Sequence, residues 1–273
     1  MSQLIDMLHQ AAQHLRLSLA KATFARRVVE HTYCGEKLKV NIEDPLGKAW
    51  YDGDWPQLHE IDLLMNSRLT SGALVYDLGS HQGIVAMILA RKAGADGKVI
   101  CAEPSPHNYR CLVANAQLNG IDNIVAVQAA ISDTTGTLKF NSSLNGKASS
   151  ILNYGMSIDV EQTTINLLVE KYGNPDVVIL DIEGFELKAL SSATSLFTKP
   201  CDFMVEVHVG AGLEAVGGSA AAVLEYFPGD SFERYVHHDD GKKPIRIEDA
   251  PDDFFSKRFF LTALSRQPVN QDN

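Results

Sequence analysis

The 273-residue sequence contains few of the features that mark membrane, secreted or nucleic-acid-binding proteins. No apolar run approaches the roughly 20 residues of a bilayer-spanning helix, and the N-terminus lacks the continuous apolar core of a signal peptide. The 24 Lys and Arg residues are outnumbered by 34 Asp and Glu residues, so the formal net charge is −10. Because phosphate neutralisation needs a basic patch, we expect no nucleic-acid partner. Because no apolar run is long enough to cross a bilayer, we also expect no integral membrane span.

Cysteine is also scarce, and its spacing excludes the common zinc motifs. Cys34, Cys101, Cys111 and Cys201 show neither a CxxC pair nor a neighbouring histidine cluster. This usage is typical of reduced thiols, and we therefore expect a cytoplasmic protein. The 45% of apolar residues is enough to bury a substantial core. The sequence does not predict an oligomeric state.

The N-terminal segment has apolar residues spaced three and four apart, which predicts an amphipathic helix within residues 1–30. The segment is also basic, so a membrane-surface or targeting helix is the alternative to a helix packed on the domain. Residues 37–55 are predicted to contain a β-hairpin with a turn near Asp44, Pro45 and Gly47. We expect an extension over residues 1–70 and a main domain over residues 71–273.

From residue 73, short apolar segments alternate with helical ones, which is typical of an α/β, doubly wound, mostly parallel sheet with helices on both faces. Strands are predicted at residues 73–76, 98–102, 124–128, 176–180 and 203–207, and helices at 84–92, 106–118, 161–172, 185–197 and 220–227. Residues 232–237 and 258–264 predict a C-terminal antiparallel strand pair. Such a sheet binds ligands beyond the carboxyl ends of its strands, where the strand order reverses.

The loop after the first predicted strand contains an acid and two glycines, Asp77, Gly79 and Gly83, with Ser80 and His81 between the glycines. Gly79 permits a close backbone approach, and Gly83 lets the following helix pack tightly. A dinucleotide fingerprint would be GxGxxG, whereas this loop is GxxxG after an acid. The spacing favours a ligand whose amino group meets Asp77, and a plain strand-to-helix turn is the alternative.

Glu103 ends the second predicted strand and precedes Pro104. A carboxylate at this place can accept hydrogen bonds from both hydroxyls of a ribose. Ser105 fits the N-cap of the next helix, and this structural role is compatible with ribose binding by Glu103. At the end of the third strand, Gln128 and Ala130 are expected to complete the cofactor site.

Carboxylates also follow the next two strands. Asp181, Glu183 and Glu186 lie within six positions of each other, and Glu186 has the alternative role of complementing a helix dipole. Glu206 and His208 project from one face of the following strand, where a structural pair is the alternative. We expect no metal, and a magnesium site formed by Asp181, Glu183 and Glu206 is the alternative.

Taken in order, these segments resemble the FkbM-type methyltransferase family over residues 72–208. The resemblance rests on the loop at residues 77–83, the Glu-Pro-x-Pro-x-Asn stretch from Glu103 with the later Leu112, Asn115 and Asn119, the Ala-x-Ser-Asp step from Ala130, the Asp-Ile-Glu-Gly-x-Glu stretch from Asp181, and the Glu-x-His step of Glu206 and His208. The family usually has Asn at the position of His81 and often Lys at that of Leu180, so this chain differs in one polar contact and one charge.

The resemblance implies a class I methyltransferase (Rossmann-like) fold, S-adenosylmethionine as the methyl donor, and O-methylation of a hydroxyl on a sugar or natural-product-like small molecule. Cofactor contacts are expected from Asp77, Gly79, Ser80, His81, Gly83, Glu103, Pro104, Gln128, Ala130 and Asp181, and catalytic roles from Asp181, Glu183, Glu206 and His208. Either Glu183 or His208 would accept the proton of the acceptor. The alternatives are a nicotinamide-dependent oxidoreductase and a noncatalytic interaction domain.

Overall fold

The N-terminal hairpin differs from the predicted one. A computed structural model of the protein describes residues 23–55, 57–141 and 157–267. Most of the predicted N-terminal helix lies outside these residues, and its last part is a strand, because β1 (Arg27–Tyr33) pairs antiparallel with β2 (Glu36–Ile42). The hairpin therefore begins before the predicted residue 37 and ends before Asp44.

The predicted turn at Asp44 is instead the start of a helix, α1 (Pro45–Tyr51). Oδ1 of Asp44 accepts the N–H groups of Leu46 and Gly47, each at 2.8 Å. Asp followed by Pro is compatible with a turn and also with the start of a helix. Proline is tolerated at the first helical position because its missing N–H would have no partner within the helix. A second short helix, α2 (His59–Met65), leads into the main sheet.

The main sheet contains eight strands in the order β12, β11, β13, β10, β9, β3, β4, β5. The parallel strands are β3 (Leu74–Leu78), β4 (Lys98–Ala102), β5 (Ile124–Val127), β9 (Val177–Leu180) and β10 (Asp202–Val207). The C-terminal strands are β11 (Phe232–His237), β12 (Ile245–Arg246) and β13 (Phe259–Ser265), and β13 pairs antiparallel with both β10 and β11. The predicted class I fold is confirmed.

Helices cover both faces of this sheet, which explains why its central strands are apolar throughout. The helices are α3 (Ile84–Ala93), α4 (Pro106–Leu118), α5 (Ile165–Tyr172), α6 (Glu186–Ser191) and α7 (Ala220–Leu224). On one face, α5, α6 and α7 bury a core around Tyr76 and Phe203. On the other face, α3 and α4 share a core with Leu38 and Val40 of the hairpin. Among the described residues, no helix is long and apolar enough to cross a bilayer.

A small three-stranded sheet, which the sequence did not predict, stands beside the main one. Its strands β6 (Ala130–Ile131), β7 (Gly136–Asn141) and β8 (Ser157–Thr163) have the order β6, β8, β7. The prediction of a helix from residue 161 is therefore wrong at its start, because β8 runs to Thr163 and Thr164 caps α5. Similarly, the helix predicted over 185–197 ends at Ser191.

Candidate functional site

The loops after β3 and β9 meet at the point where the strand order reverses. Gly79 has a φ of +100°, and a Cβ atom there would lie 1.7 Å from the carbonyl oxygen of Asp181. Gly83 begins α3 with a φ of +85°, and a Cβ atom on it would lie 2.9 Å from Cγ of Leu112. Both glycines are therefore required where the predicted loop needs them.

Two non-glycine residues in these loops also have left-handed backbones. The φ angle is 47° at His81 and 55° at Glu183. Such conformations are uncommon for residues with a Cβ atom and persist where the surrounding structure fixes them. The tertiary structure thus fixes the backbones of His81 and Glu183, one in each of the two loops at the switch point.

A first pocket lies at the carboxyl ends of β3 and β4. It brings together the predicted residues Gly79, His81, Glu103, Pro104, Ala130, Asp181 and Glu183. Most of the other lining residues are apolar: Ala102, Ala129, Ile131, Leu138, Phe140, Ile182 and Phe185. A mainly apolar pocket with a few polar groups is typical of small-molecule sites. No sequence pattern predicted a role for Leu138 and Phe140, which come from the small sheet.

Glu103 is buried at one end of the first pocket. Its Oε2 accepts the backbone N–H of His81 at 2.9 Å, and its Oε1 accepts that of Ser105 at 2.7 Å. Burial raises the pKa of Glu103 to about 8, against the lowering effect of these two N–H groups. The side chain of Asn108 also donates to this carboxylate. A carboxylate has about four acceptor positions, so at least one remains for a ribose hydroxyl.

Asp77 is a buried acid with an unmet hydrogen-bonding capacity. Its side chain is 3% exposed, and Oδ2 has no hydrogen-bond partner among the described residues. Burial raises the pKa of Asp77 to about 7, although a hydrogen bond from Ser80 acts in the opposite direction. Since an unpartnered buried carboxylate is costly, this site fits a ligand that brings an ammonium group.

Two predicted cofactor residues, Gly83 and Gln128, line neither this pocket nor the second one described below. Gly83 is buried at the N-cap of α3, and the side chain of Gln128 is exposed. A hydrogen bond of 3.1 Å from the N–H of Ala129 to the carbonyl of Val127 closes a tight turn at this position. Ala129, next to the predicted Gln128, lines the first pocket instead.

A second pocket adjoins the first and is closed on one side by the N-terminal extension. Trp50, Tyr51 and Trp55 of the extension line it. The extension also packs on the main domain, since the rings of Trp50 and His81 lie 5.1 Å apart. Asp77 and Ser80 line the second pocket from the sheet side.

Five residues line both pockets: Trp50, Gly79, His81, Asp181 and Glu183. We call this shared edge the seam. At the seam, the hydroxyl of Tyr51 lies 2.6 Å from Nδ1 of His81. Burial and the nearby carboxylates raise the pKa of Tyr51, so its hydroxyl stays protonated and can donate to that nitrogen. The extension thus fixes the loop that forms the cofactor side of the site.

Behind the seam, a buried histidine lies among four carboxylates; we call Asp181, Glu183, Glu186, Glu206 and His208 the His208 cluster. Nδ1 of His208 is 2.9 Å from Oε1 of Glu186. Nε2 is 3.4 Å from Glu183, 3.6 Å from Glu206 and 3.7 Å from Asp181. Burial lowers the pKa of His208, but the hydrogen bond and charge of Glu186, with the charges of Asp181 and Glu206, raise it to about 9.

Glu186 and Arg258 are the residues of this region whose roles the sequence did not reveal. Glu186 is fully buried and orients His208, so its role goes beyond complementing the dipole of α6. Glu206, which lies on the strand that leads to His208, places Oε1 2.8 Å from Nη1 of Arg258. In both contacts, Glu186 with His208 and Glu206 with Arg258, the two residues are far apart in the chain. No local sequence pattern therefore predicted either contact.

Comparisons with solved structures find methyltransferases at low similarity. An rRNA methylase from Streptococcus thermophilus aligns over 76% of this chain and 93% of its own, with 12% identity and a TM-score of 0.46. A SAM-dependent O-methyltransferase from Thermotoga maritima aligns over 89% and 79%, with 10% identity and a TM-score of 0.43. Similarity this low says nothing about the substrate.

Curated relatives are more similar in sequence but match only in part. Hexuronic acid methyltransferase AglP of Haloferax volcanii is 26% identical over 140 residues, which cover 50% of this chain and 56% of the relative. Uncharacterized protein MJ1452 of Methanocaldococcus jannaschii is 30% identical over 121 residues, 44% of each chain. The chain thus spans about half the length of the curated relatives it matches.

The family comparison covers the part of the site that the main sheet provides. The model of the methyltransferase FkbM domain matches residues 77–251, which is more than half of the chain. This range begins at Asp77 and includes both loops of the seam and the His208 cluster. The chain therefore belongs to the FkbM methyltransferase family, whose methyl donor is S-adenosylmethionine.

Proposed function

We propose that this protein is an O-methyltransferase that methylates a hydroxyl of a sugar or of a similar small molecule. The observation that carries the proposal is the seam, where Asp181 and Glu183 face both pockets. The bound donor supplies an electrophilic methyl group. The chain itself must therefore align the acceptor with that group and take up the proton of the hydroxyl.

The two pockets together have the donors and acceptors that S-adenosylmethionine needs, with Glu103 in the first pocket and Asp77 in the second. Glu103 would accept a ribose hydroxyl, and Asp77 would pair with the ammonium of the methionine end. Leu138, Phe140 and Phe185 offer an apolar surface for the adenine ring. In this arrangement the donor extends across the seam from Glu103 to Asp77, and the acceptor enters the part of the second pocket lined by Trp55, Glu60 and Arg258.

Glu183 is the proposed general base. Its side chain is 19% exposed and lines both pockets, whereas His208 is 1% exposed and each of its ring nitrogens faces a carboxylate. A base must be within hydrogen-bonding reach of the acceptor, and geometry decides between two candidates of suitable chemistry. His208 is held by Glu186. We assign to His208 the positioning of two carboxylates, Asp181 at the seam and Glu206 behind it.

The proposed acceptor class rests on the second pocket and on a relative. Trp50 is 42% exposed at the seam, and an exposed aromatic ring beside carboxylates suits the alternating apolar and hydroxyl surfaces of a sugar. The relative AglP is named for a hexuronic acid. A nucleic-acid acceptor is disfavoured, because the net charge is −10 and the pocket contains carboxylates.

S-adenosylhomocysteine is expected to bind the protein, and NAD is not. A ligand specific for the folded state adds about 2.7 kcal/mol to its stability at about 100 times the dissociation constant. Thermal unfolding with each ligand measures this directly. A shift with NAD and none with S-adenosylhomocysteine would support an oxidoreductase and overturn the proposal.

The methyl product is expected to be an ether. The protein is incubated with S-adenosylmethionine and a panel containing neutral hexosides and hexuronic acids, and methylated products are detected by mass spectrometry. A methyl ether survives mild alkali, whereas a methyl ester is hydrolysed. An alkali-labile product from a hexuronic acid, with none from any hydroxyl, would contradict O-methylation of a hydroxyl. An acceptor found here serves the kinetic experiments below.

A further inference from the structure

The spacing around His208 is unusual for a hydrogen-bonded histidine. Its Nε2 faces three carboxylate oxygens, of Glu183, Glu206 and Asp181, at 3.4–3.7 Å. All three separations exceed the usual hydrogen-bond range of about 2.7–3.2 Å. Two ligand atoms that each lie about 2.1 Å from a shared metal ion are separated by about 3.0–3.4 Å. The separation of Nε2 from Glu183 lies at the upper end of this range, and those from Glu206 and Asp181 at 3.6 and 3.7 Å lie just above it, so a small inward movement of the two carboxylates would bring them to the spacing of ligands around a common ion.

The other side of the imidazole ring supports the same interpretation. Oε1 of Glu186 holds Nδ1 at 2.9 Å and also accepts the N–H of Gly184 at 2.8 Å. A carboxylate that fixes one nitrogen of a histidine, so that the other nitrogen faces a ligand site, is the common arrangement behind metal-bound histidines. His208 is 1% exposed, so the surrounding side chains fix the orientation of its ring.

We propose that the His208 cluster binds one divalent metal ion through Nε2 of His208 and the carboxylates of Asp181 and Glu206. One oxygen of each carboxylate and one imidazole nitrogen lie within 4.8 Å of one another. A mixed set of one nitrogen and two oxygens suits Mn²⁺ or Zn²⁺ better than Mg²⁺, which prefers oxygen ligands. This set replaces the all-carboxylate magnesium site that the sequence offered as an alternative.

The position of this site gives it a place in the reaction. Asp181 lines both pockets, so an ion bound by it would lie at the seam, beside the acceptor oxygen. That part of the inference rests on the proposed function. The binding of the metal does not, since the three side chains are brought together whatever the acceptor is.

Arg258 is the cation that competes for this site. Its Nη1 lies 2.8 Å from Oε1 of Glu206, and its side chain is 46% exposed. A partly exposed arginine loses little by turning to solvent, since exposed ion pairs are weak. Metal binding would therefore displace Arg258 from one oxygen of Glu206, and removing the arginine should favour the metal.

The test is Mn²⁺ binding to the full chain after treatment with EDTA and its removal. Electron paramagnetic resonance of free Mn²⁺ and calorimetry are expected to show one site per chain. Asp181→Asn and Glu206→Gln should each weaken binding at least about tenfold, as should Glu186→Gln through loss of ring orientation. Glu60→Gln is the matched control, because Glu60 lines the second pocket outside the cluster. Arg258→Gln should tighten binding.

Each alternative result overturns the proposal. If Mn²⁺ does not bind at millimolar concentration, the cluster is not a metal site, and its positive charge is the proton on His208. Equal losses in Glu60→Gln and Glu206→Gln, or retained affinity in both Asp181→Asn and Glu206→Gln, would place the ion elsewhere. Thermal unfolding of every variant separates these outcomes from misfolding. S-adenosylhomocysteine binding is measured in the same samples, so loss of the metal site and failure of the methyltransferase assignment are distinguishable.

Discussion

Asp77→Asn is expected to make the ligand-free protein more stable while removing most of its affinity for S-adenosylhomocysteine. Burial raises the pKa of Asp77 from the usual 3.8 to about 7. The folded protein therefore holds this proton more tightly than the unfolded chain does. The stabilisation is complete below about pH 4 and is lost as the pH rises through 7, because the folded state must then bury an ionised carboxylate.

The expected size follows from that shift. At pH 8 the buried charge of Asp77 lowers the free energy of unfolding by up to about 4 kcal/mol. Asparagine has no charge to desolvate, so this loss of stability is absent in the variant. Denaturant unfolding at pH 8 should show a clear gain in the free energy of unfolding for Asp77→Asn, and the gain should shrink toward pH 5. Asp122→Asn, at an exposed position, is the control and should change stability little at either pH.

The loss of affinity has the same origin. A charge-assisted hydrogen bond to a buried carboxylate contributes about 1.5–3 kcal/mol, so its removal should weaken binding by roughly ten- to a hundredfold. Calorimetry with S-adenosylhomocysteine on the two variants measures this. If Asp77→Asn is less stable than the parent protein at pH 8, or binds the ligand as tightly, Asp77 does not hold the ammonium. A stability gain with loss of binding is typical of residues selected for function.

The main sheet was predictable because each of its elements leaves a local signal. Continuous apolar runs such as Val177–Leu180 indicate strands that are covered on both faces, and the intervening helices show their own periodicity. The small sheet leaves no such signal. Its strands β7 and β8 pair across the chain segment between Asn141 and Ser157, so their stability comes from tertiary contacts that no short window contains.

The site was predictable only as far as the sheet edge determines it. Motif residues such as Asp77, Glu103 and Asp181 end strands, and the topology brings their ends together. Tyr51 and Glu186 were not identified as site residues, because their partners lie 30 and 22 residues away and depend on how a helix packs. Side-chain pairs of this kind follow from the tertiary structure and not from sequence spacing.

Replacing the proposed base is expected to have the largest effect on turnover. Glu183→Gln keeps the size of the side chain but cannot accept the proton of the acceptor hydroxyl, so kcat should fall by about 10²–10⁴. The dissociation constant of S-adenosylmethionine should remain nearly unchanged, because Asp77 and Glu103 hold the donor. Steady-state kinetics with an acceptor from the panel, together with calorimetry, separates these two quantities.

The comparison with His208 decides between the two candidate bases. His208→Gln removes the group that we assign to positioning, and it should lower turnover while the remaining activity still depends on the ionisation of Glu183. Glu170→Gln, at an exposed position on α5, is the control for loss of a carboxylate as such. Near-normal turnover in Glu183→Gln with a loss of about 10²–10⁴ in His208→Gln, both relative to the parent protein after removal of metal with EDTA, would instead make His208 the base. Near-normal turnover in both variants would mean that the proton leaves by a route that includes neither side chain, and the proposed arrangement at the seam would then be wrong.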